Sequence, residues 1–246
     1  MLATAPNHKP NVMAHKKMIM IRIFLIVITV LSISKSYSQN GEKEYLNLLN
    51  EIKSKHDTLL NIYSKANSKE KDSIIEISKV YLIKTISKNI FPYWYGTQWD
   101  FNGVTRIPKK GKIACGYFVT NVMTDLGFNI PRIKWAQSAS EVFIKKLALT
   151  KNIKRFTKTK MSDFENHLKK SGNGIYLVGL DMHVGFIVVD NDNIRFVHSS
   201  YYKPEIGVIS EKLDSWNPLR DSNYRIIGKL FSNLMIENWI IEKRYD

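Results

Sequence analysis

Residues 175–200, IYLVGLDMHVGFIVVDNDNIRFVHSS, mark the point at which the apolar pattern of the chain changes from helical to extended. Apolar residues upstream recur every three or four positions, whereas here they follow a period close to two and are rich in Val, Ile, Tyr and Phe. The pattern predicts three strands, over residues 175–180, 183–190 and 193–200. Asn191 and Asp192 between the last two are typical turn residues, so these two strands should form a hairpin.

The register of this hairpin follows from the length of its turn. A two-residue turn pairs Asp190 with Asn193, and the same pairing places His198 opposite Gly185. Because side chains alternate along a strand, His183 lies on the same face as Gly185 and is a diagonal neighbour of His198. Such neighbours are about 7–8 Å apart, within reach of their side chains. Gly185 leaves space in front of His198.

The elements upstream of the hairpin are predicted to be helical. Amphipathic patterns cover residues 42–63, 69–88, 115–126, 138–149 and 162–170, and Pro92 is expected to end the second helix. Helices followed by antiparallel strands, rather than alternating with them, favour an α+β fold. Residues 39–90 are predicted to be a helical N-terminal extension, and residues 91–246 a single domain.

The only cysteine, Cys115, lies where a loop turns into a helix, in the stretch Gly111–Val119, GKIACGYFV. A thiolate is the nucleophilic form of cysteine, and a helix N-terminus beside an imidazolium lowers the pKa of a thiol. His183 could take the thiol proton and return it to a leaving group, and His198 could orient the His183 ring. The arrangement therefore predicts a thiol hydrolase.

The same residues also admit less specific interpretations. A lone cysteine is commonly buried and inert, and a strand histidine is commonly a packing residue. Two histidines on one face could bind a metal, but no third or fourth ligand lies near them in the sequence, so neither a metal nor a cofactor is expected. The five tryptophans could line a substrate groove or pack in the core.

The beginning of the chain resembles an export signal. An apolar run, Ile23–Ile33, follows Lys16, Lys17 and Arg22, and small residues precede a cleavage site after Ser38. Residues 1–38 are therefore interpreted as an upstream segment and a secretory signal peptide. The run is too short for a membrane span, which needs about 20 residues. The mature protein is expected to be periplasmic or secreted, with no stable membrane span.

The charge of the chain is strongly basic. The formal net charge of +15 becomes about +10 once the five basic residues before the cleavage site are removed. This excess favours an anionic cell-envelope polymer as partner, and export argues against nucleic acid. A lysine-rich surface that merely reflects an AT-rich genome is an equally good explanation.

Four short motifs and a following strand, taken in order and spacing, carry a family resemblance. They are Tyr93-Trp94-Tyr95-Gly96, Cys115-Gly116-Tyr117-Phe118-Val119, His183-Val184-Gly185-Phe186-Ile187, Phe196-Val197-His198-Ser199-Ser200 and Gly207-Val208-Ile209. Together they resemble the NlpC-type cell-wall cysteine endopeptidases, a papain-like superfamily that acts on peptidoglycan stem peptides. The resemblance implies a papain-like fold with Cys115 as nucleophile, His183 as base, His198 as orienting residue and Tyr93 near the thiol.

The chain departs from the family pattern around the cysteine. Ala114 stands where the family has aspartate, and Gly116 with Tyr117 replaces Ser-Gly. The implied function is hydrolysis of amide bonds in peptidoglycan stem peptides. These departures leave open an amidase or acyltransferase acting on a lipid or on another cell's wall. A non-catalytic wall-binding module is the third possibility.

Overall fold

The computed structural model describes residues 41–246, and the predicted signal peptide and its cleavage site lie outside the described residues. The first helix, α1, covers residues 41–65. The others are α2 Ser68–Lys84, α3 Phe91–Trp94, α4 Cys115–Asp125, α5 Arg132–Ala136, α6 Ser140–Leu147, α7 Met161–Ser171, α8 Pro218–Asp221 and α9 Asn233–Ile240. Among residues 41–246, no helix is both long and apolar enough to cross a lipid bilayer.

Pro92 does not end the second helix where the sequence suggested. A π-helical segment, Thr85–Ile90, follows α2 directly and leads into α3, in whose first turn Pro92 lies. The backbone N–H of Phe91 still donates to the carbonyl oxygen of Ile86, so the helical path continues up to the proline. At its other end α2 begins with a capping box, in which Asn67 and Glu70 each accept a hydrogen bond from the backbone of the other.

Six strands form one antiparallel sheet in the order β1-β6-β2-β3-β4-β5. The strands are β1 Ile153–Thr157, β2 Gly174–Leu180, β3 Val184–Asp190, β4 Asn193–Ser199, β5 Val208–Lys212 and β6 Tyr224–Lys229. Helices packed on an antiparallel sheet confirm the predicted α+β class.

The β3–β4 hairpin has the register that its turn residues predict. Asp190 pairs with Asn193 and Phe186 with Val197. Asn191 adopts a left-handed φ of 53°, as asparagine does readily in tight turns. A Cβ on Gly185 would lie 2.8 Å from His198 Cβ, so the absence of a side chain at Gly185 makes room for the histidine.

Apolar clusters cover both faces of the sheet. On one face Phe186 and Val197 pack with Phe118 of α4, in a cluster that also includes residues of α1 and α9. On the other face Tyr176 and Ile187 pack with side chains of α7. This layering places the N-terminus of α4 beside the beginning of β3.

The N-terminal helices belong to the same body as the sheet. Residues Glu44–Asp246 form one compact unit, and no division falls at residue 90. Tyr45 of α1 is fully buried and donates a 2.6 Å hydrogen bond to Asp125 at the end of α4. Tyr63, near the end of α1, donates to Glu237 of α9. The two helices therefore contribute to the core rather than forming a separate extension.

Candidate active site

The position of the thiol is set by the loop that precedes α4. Ser199 of β4 donates a 2.7 Å hydrogen bond to the carbonyl of Ile113, and Ile113 itself donates to Gln98. Ala114 adopts an extended conformation as the N-cap, which makes Cys115 the first residue of the helix. The loop is thus tied to the strand that carries His198.

The two predicted histidines form one end of a hydrogen-bonded chain. His183 Nε2 lies 2.8 Å from His198 Nδ1, and the two rings are perpendicular. His198 Nε2 lies 2.9 Å from Glu211 Oε1 on β5. Glu211 Oε2 in turn accepts a hydrogen bond from Lys203 Nζ at 2.5 Å. All but Lys203 are buried. We call His183, His198, Glu211 and Lys203 the relay.

The relay determines which nitrogen of each ring carries a proton. An ionised carboxylate can only accept, so Glu211 requires the proton of His198 on Nε2. A neutral His198 then offers its bare Nδ1 to His183, whose proton must be on Nε2. The remaining nitrogen, His183 Nδ1, is a bare acceptor. It is buried and has no hydrogen-bond partner.

The electrostatics of the relay keep its carboxylate charged. Burial alone would raise the pKa of Glu211, but the hydrogen bonds from His198 and Lys203 outweigh this effect and lower it. Burial lowers the pKa of His198, partly offset by Glu211. Burial and the neighbouring His198 hold the pKa of His183 well below its ordinary value. His183 is therefore a neutral base at physiological pH.

Cys115 and His183 open onto a common cavity of about 470 Å³. Its remaining walls come from α4, the end of α5, the start of α6 and the segment between them, the β2–β3 turn and β6. They include Gly116, Ala136, Ser138, Glu141, Asp181, Met182 and Tyr224. Gly116 is required by close packing, because a Cβ there would lie 2.2 Å from the carbonyl oxygen of Ala136. The glycine at this position thus lets α5 approach α4.

The thiol is not activated in the way its helix position predicts. Burial raises the pKa of Cys115, even though the backbone amides of Val184, Gly116 and Cys115 itself act in the opposite direction. The expectation of a lowered pKa was therefore wrong. An imidazolium is also absent from the resting site, because His183 is neutral. The resting pair consists of a thiol and an imidazole, and the thiolate forms only when the base removes its proton.

This protonation state predicts how Cys115 reacts with iodoacetamide. Because a raised pKa reduces the thiolate fraction, we expect the rate constant for alkylation of Cys115 at pH 7 to be below that of an ordinary free thiol. The rate constant should still be rising at about pH 9. The chain has one cysteine, so mass spectrometry of the alkylated protein follows this residue alone. The urea-unfolded chain is the control and should react as a free thiol, whereas a plateau below pH 7 in the folded protein would indicate a preformed ion pair.

Tyr93, which the resemblance places near the thiol, is absent from the lining of the 470 Å³ cavity. Its ring packs on Tyr45 of α1, with 5.2 Å between the ring centroids. The tyrosine beside the site is Tyr201, whose ring lies 5.3 Å from that of His183. Tyr201 follows β4 by two residues in a loop that carries no periodic signal, so the sequence did not identify it.

Glu211 is the other functional residue that sequence reasoning missed. It lies in β5 opposite Phe196, two residues from Ile209, which pairs with His198. The expected strand after the second histidine is present, yet a glutamate within it resembles any surface glutamate of an edge strand. Only the pairing of β5 with β4 shows that this carboxylate reaches the His198 ring.

The tryptophans divide between core and surface. Trp94, Trp135 and Trp239 are fully buried packing residues, whereas Trp216 is 57% exposed and Trp99 is partly exposed. Among residues 41–246, the one group of three possible metal-ligating side chains is His56, Asp57 and Glu242, which includes no residue of the relay. Asp57 there is already paired with Lys53.

Comparisons with known proteins found no matching family model, no matching curated protein and no matching solved structure.

Proposed function

We propose that this protein is a cysteine hydrolase that cleaves amide bonds, with Cys115 as nucleophile and His183 as general base. The observation that carries the proposal is the unpartnered Nδ1 of His183, which the relay leaves as a bare acceptor beside the cavity that Cys115 also lines. A buried nitrogen without a partner costs free energy, and a role as base accounts for it.

The first half of the reaction forms an acyl-enzyme. Cys115 Sγ attacks the carbonyl carbon of the substrate while its proton passes to His183 Nδ1. The resulting imidazolium is stabilised through His198 by the charge of Glu211. His183 then protonates the leaving nitrogen, the C–N bond breaks, and a thioester and a free amine result.

The second half restores the enzyme. A water molecule gives a proton to His183 Nδ1 and attacks the thioester carbon, and the C–S bond breaks as the proton returns to sulfur. The products are a carboxylic acid and the thiol. The backbone N–H of Cys115, at the first turn of α4, is suited to stabilise the oxyanion in both halves.

Peptidoglycan stem peptides are the substrate that we favour. The order of the motifs around Cys115, His183 and His198 resembles the NlpC-type endopeptidases, whose papain-like fold places a thiol helix against an antiparallel sheet. The expected export signal agrees with an envelope substrate.

Digestion of purified sacculi by residues 39–246 tests the proposal. We expect soluble stem-peptide fragments, identified by mass spectrometry, and a loss of activity of at least about 10³-fold in Cys115→Ala and in His183→Ala. Ser64→Ala, an exposed substitution at the end of α1, is the matched control and should digest at the normal rate.

Other outcomes separate the alternatives. If sacculi release nothing but a lipid amide or ester is cleaved in a Cys115-dependent manner, the chemistry stands and the substrate is wrong. If the protein binds sacculi and cleaves no amide or ester, it is a wall-binding module and the proposal fails.

A further inference from the structure

Four aromatic side chains form a continuous strip beside the catalytic base. Successive ring centroids from Trp99 to Tyr201, Tyr202 and Trp216 are 6.0, 4.9 and 5.0 Å apart. Each ring is exposed or partly exposed. We call these four residues the aromatic strip. Because Tyr201 also contacts the His183 ring, the strip begins at the site of the chemistry.

A second cavity adjoins the main one on the side of Tyr201 and Tyr202. It has a volume of about 120 Å³, and Tyr201 and Tyr202 form one side of it. Asp181, Met182 and His183 line this cavity and also the 470 Å³ cavity that contains Cys115. A ligand can therefore extend from one cavity to the other past the base.

Two carboxylates border the aromatic strip, and one of them, Asp221, is paired with Arg220. Tyr202 donates a hydrogen bond to Asp221 Oδ2, and Asp181 Oδ2 accepts from Ser222 and from the backbone of Asn223. The hydrogen bond from Arg220 lowers the pKa of Asp221, and the one from Ser222 lowers that of Asp181, so both are ionised at neutral pH. An ionised carboxylate can accept four hydrogen bonds, which leaves capacity at both residues.

This combination is suited to a neutral polyol. Exposed aromatic faces bind the apolar C–H face of a sugar ring, and carboxylates accept hydrogen bonds from its hydroxyl groups. An anionic ligand would gain no hydrogen bond from Asp181 or Asp221, because ionised carboxylates can only accept. A compact ammonium ion would require rings that enclose it, whereas these rings follow one another along the surface and match an elongated ligand.

We propose that the aromatic strip binds a saccharide unit of the substrate, adjacent to the amide that is cleaved. This inference rests on the proposed function, since it makes the two cavities parts of one substrate site. The substrate class is thereby a glycopeptide, with peptide in the larger cavity and sugar over Tyr202 and Trp216.

Calorimetric titration of full-length Cys115→Ala with chitotriose, a neutral oligosaccharide, tests the inference without requiring turnover. We expect saturable binding that Trp216→Ala, made in the same background, weakens about tenfold or more. Leu234→Ala is the matched control, because Leu234 is 50% exposed on α9 and belongs to neither cavity. The control should bind as tightly as its parent.

Three results would overturn the inference. They are no binding of chitotriose, equal binding by Trp216→Ala, and binding of lysine amide in place of the sugar. The two proposals fail separately: digestion of sacculi without chitotriose binding removes the saccharide site and leaves the hydrolase. Chitotriose binding without any amide cleavage leaves the saccharide site and removes the hydrolase.

Discussion

Glu211→Gln is expected to lower kcat about 100-fold while changing KM less than twofold. The glutamine keeps the size of the side chain but removes the charge that requires the proton of His198 on Nε2. Without it, His198 can hold either tautomer, and His183 Nδ1 is no longer consistently the bare nitrogen. The imidazolium that forms during acylation also loses its stabilising charge. Steady-state hydrolysis of a soluble stem-peptide amide measures both constants.

The controls for this experiment distinguish a role of Glu211 in orienting the histidines from a role in folding. Glu205→Gln removes an equivalent charge from an exposed residue that is bonded to Gln98, and it should leave kcat unchanged. The pH profile gives a second readout. Because the pKa of His183 is lowered, the unmutated protein should retain its activity at about pH 6, where an ordinary histidine is largely protonated. An unchanged kcat in Glu211→Gln would show that the relay ends at His198.

Leu59→Ala in α1 is expected to reduce the free energy of unfolding by about 2–5 kcal/mol. Leu59 is 4% exposed and packs in the same apolar cluster as the thiol helix and the sheet. Truncating it leaves a cavity in that cluster. Such a loss is a large part of the roughly 5–15 kcal/mol that stabilises a typical domain. Urea unfolding followed by circular dichroism measures the change.

Ile62→Ala provides the matched control on the same helix. Ile62 is 49% exposed, so its truncation should change the free energy of unfolding by about 0.5 kcal/mol or less. Equal and small effects of the two substitutions would mean that α1 is a separable extension. A cooperative transition in which Leu59→Ala shifts the whole curve would mean that α1 and the sheet unfold together.

The local sequence pattern was sufficient to predict the hairpin and the placement of its two histidines. The register needs only the two-residue turn between Asp190 and Asn193, and strand alternation then places His183 and His198 on one face. The contact between the two rings confirms that inference. Helices α1, α2, α4, α6 and α7 were also predicted, because their apolar stripes are local in sequence, whereas the short helices α3, α5 and α8 were not. The edge strand β1 was not predicted from the sequence. It buries only Phe156, so its alternation of buried and exposed residues is too weak to indicate a strand.

What the sequence determined by itself was therefore the α+β class, the start of the thiol helix at Cys115 and the pairing of the two histidines, since each depends on spacing within one short segment. Only the tertiary structure decided that Glu211 completes the relay, that Tyr201 lies beside the His183 ring, and that burial raises the pKa of Cys115. These features depend on which segments meet across the sheet and how completely they exclude water. Neither property is encoded in the spacing of residues along the chain.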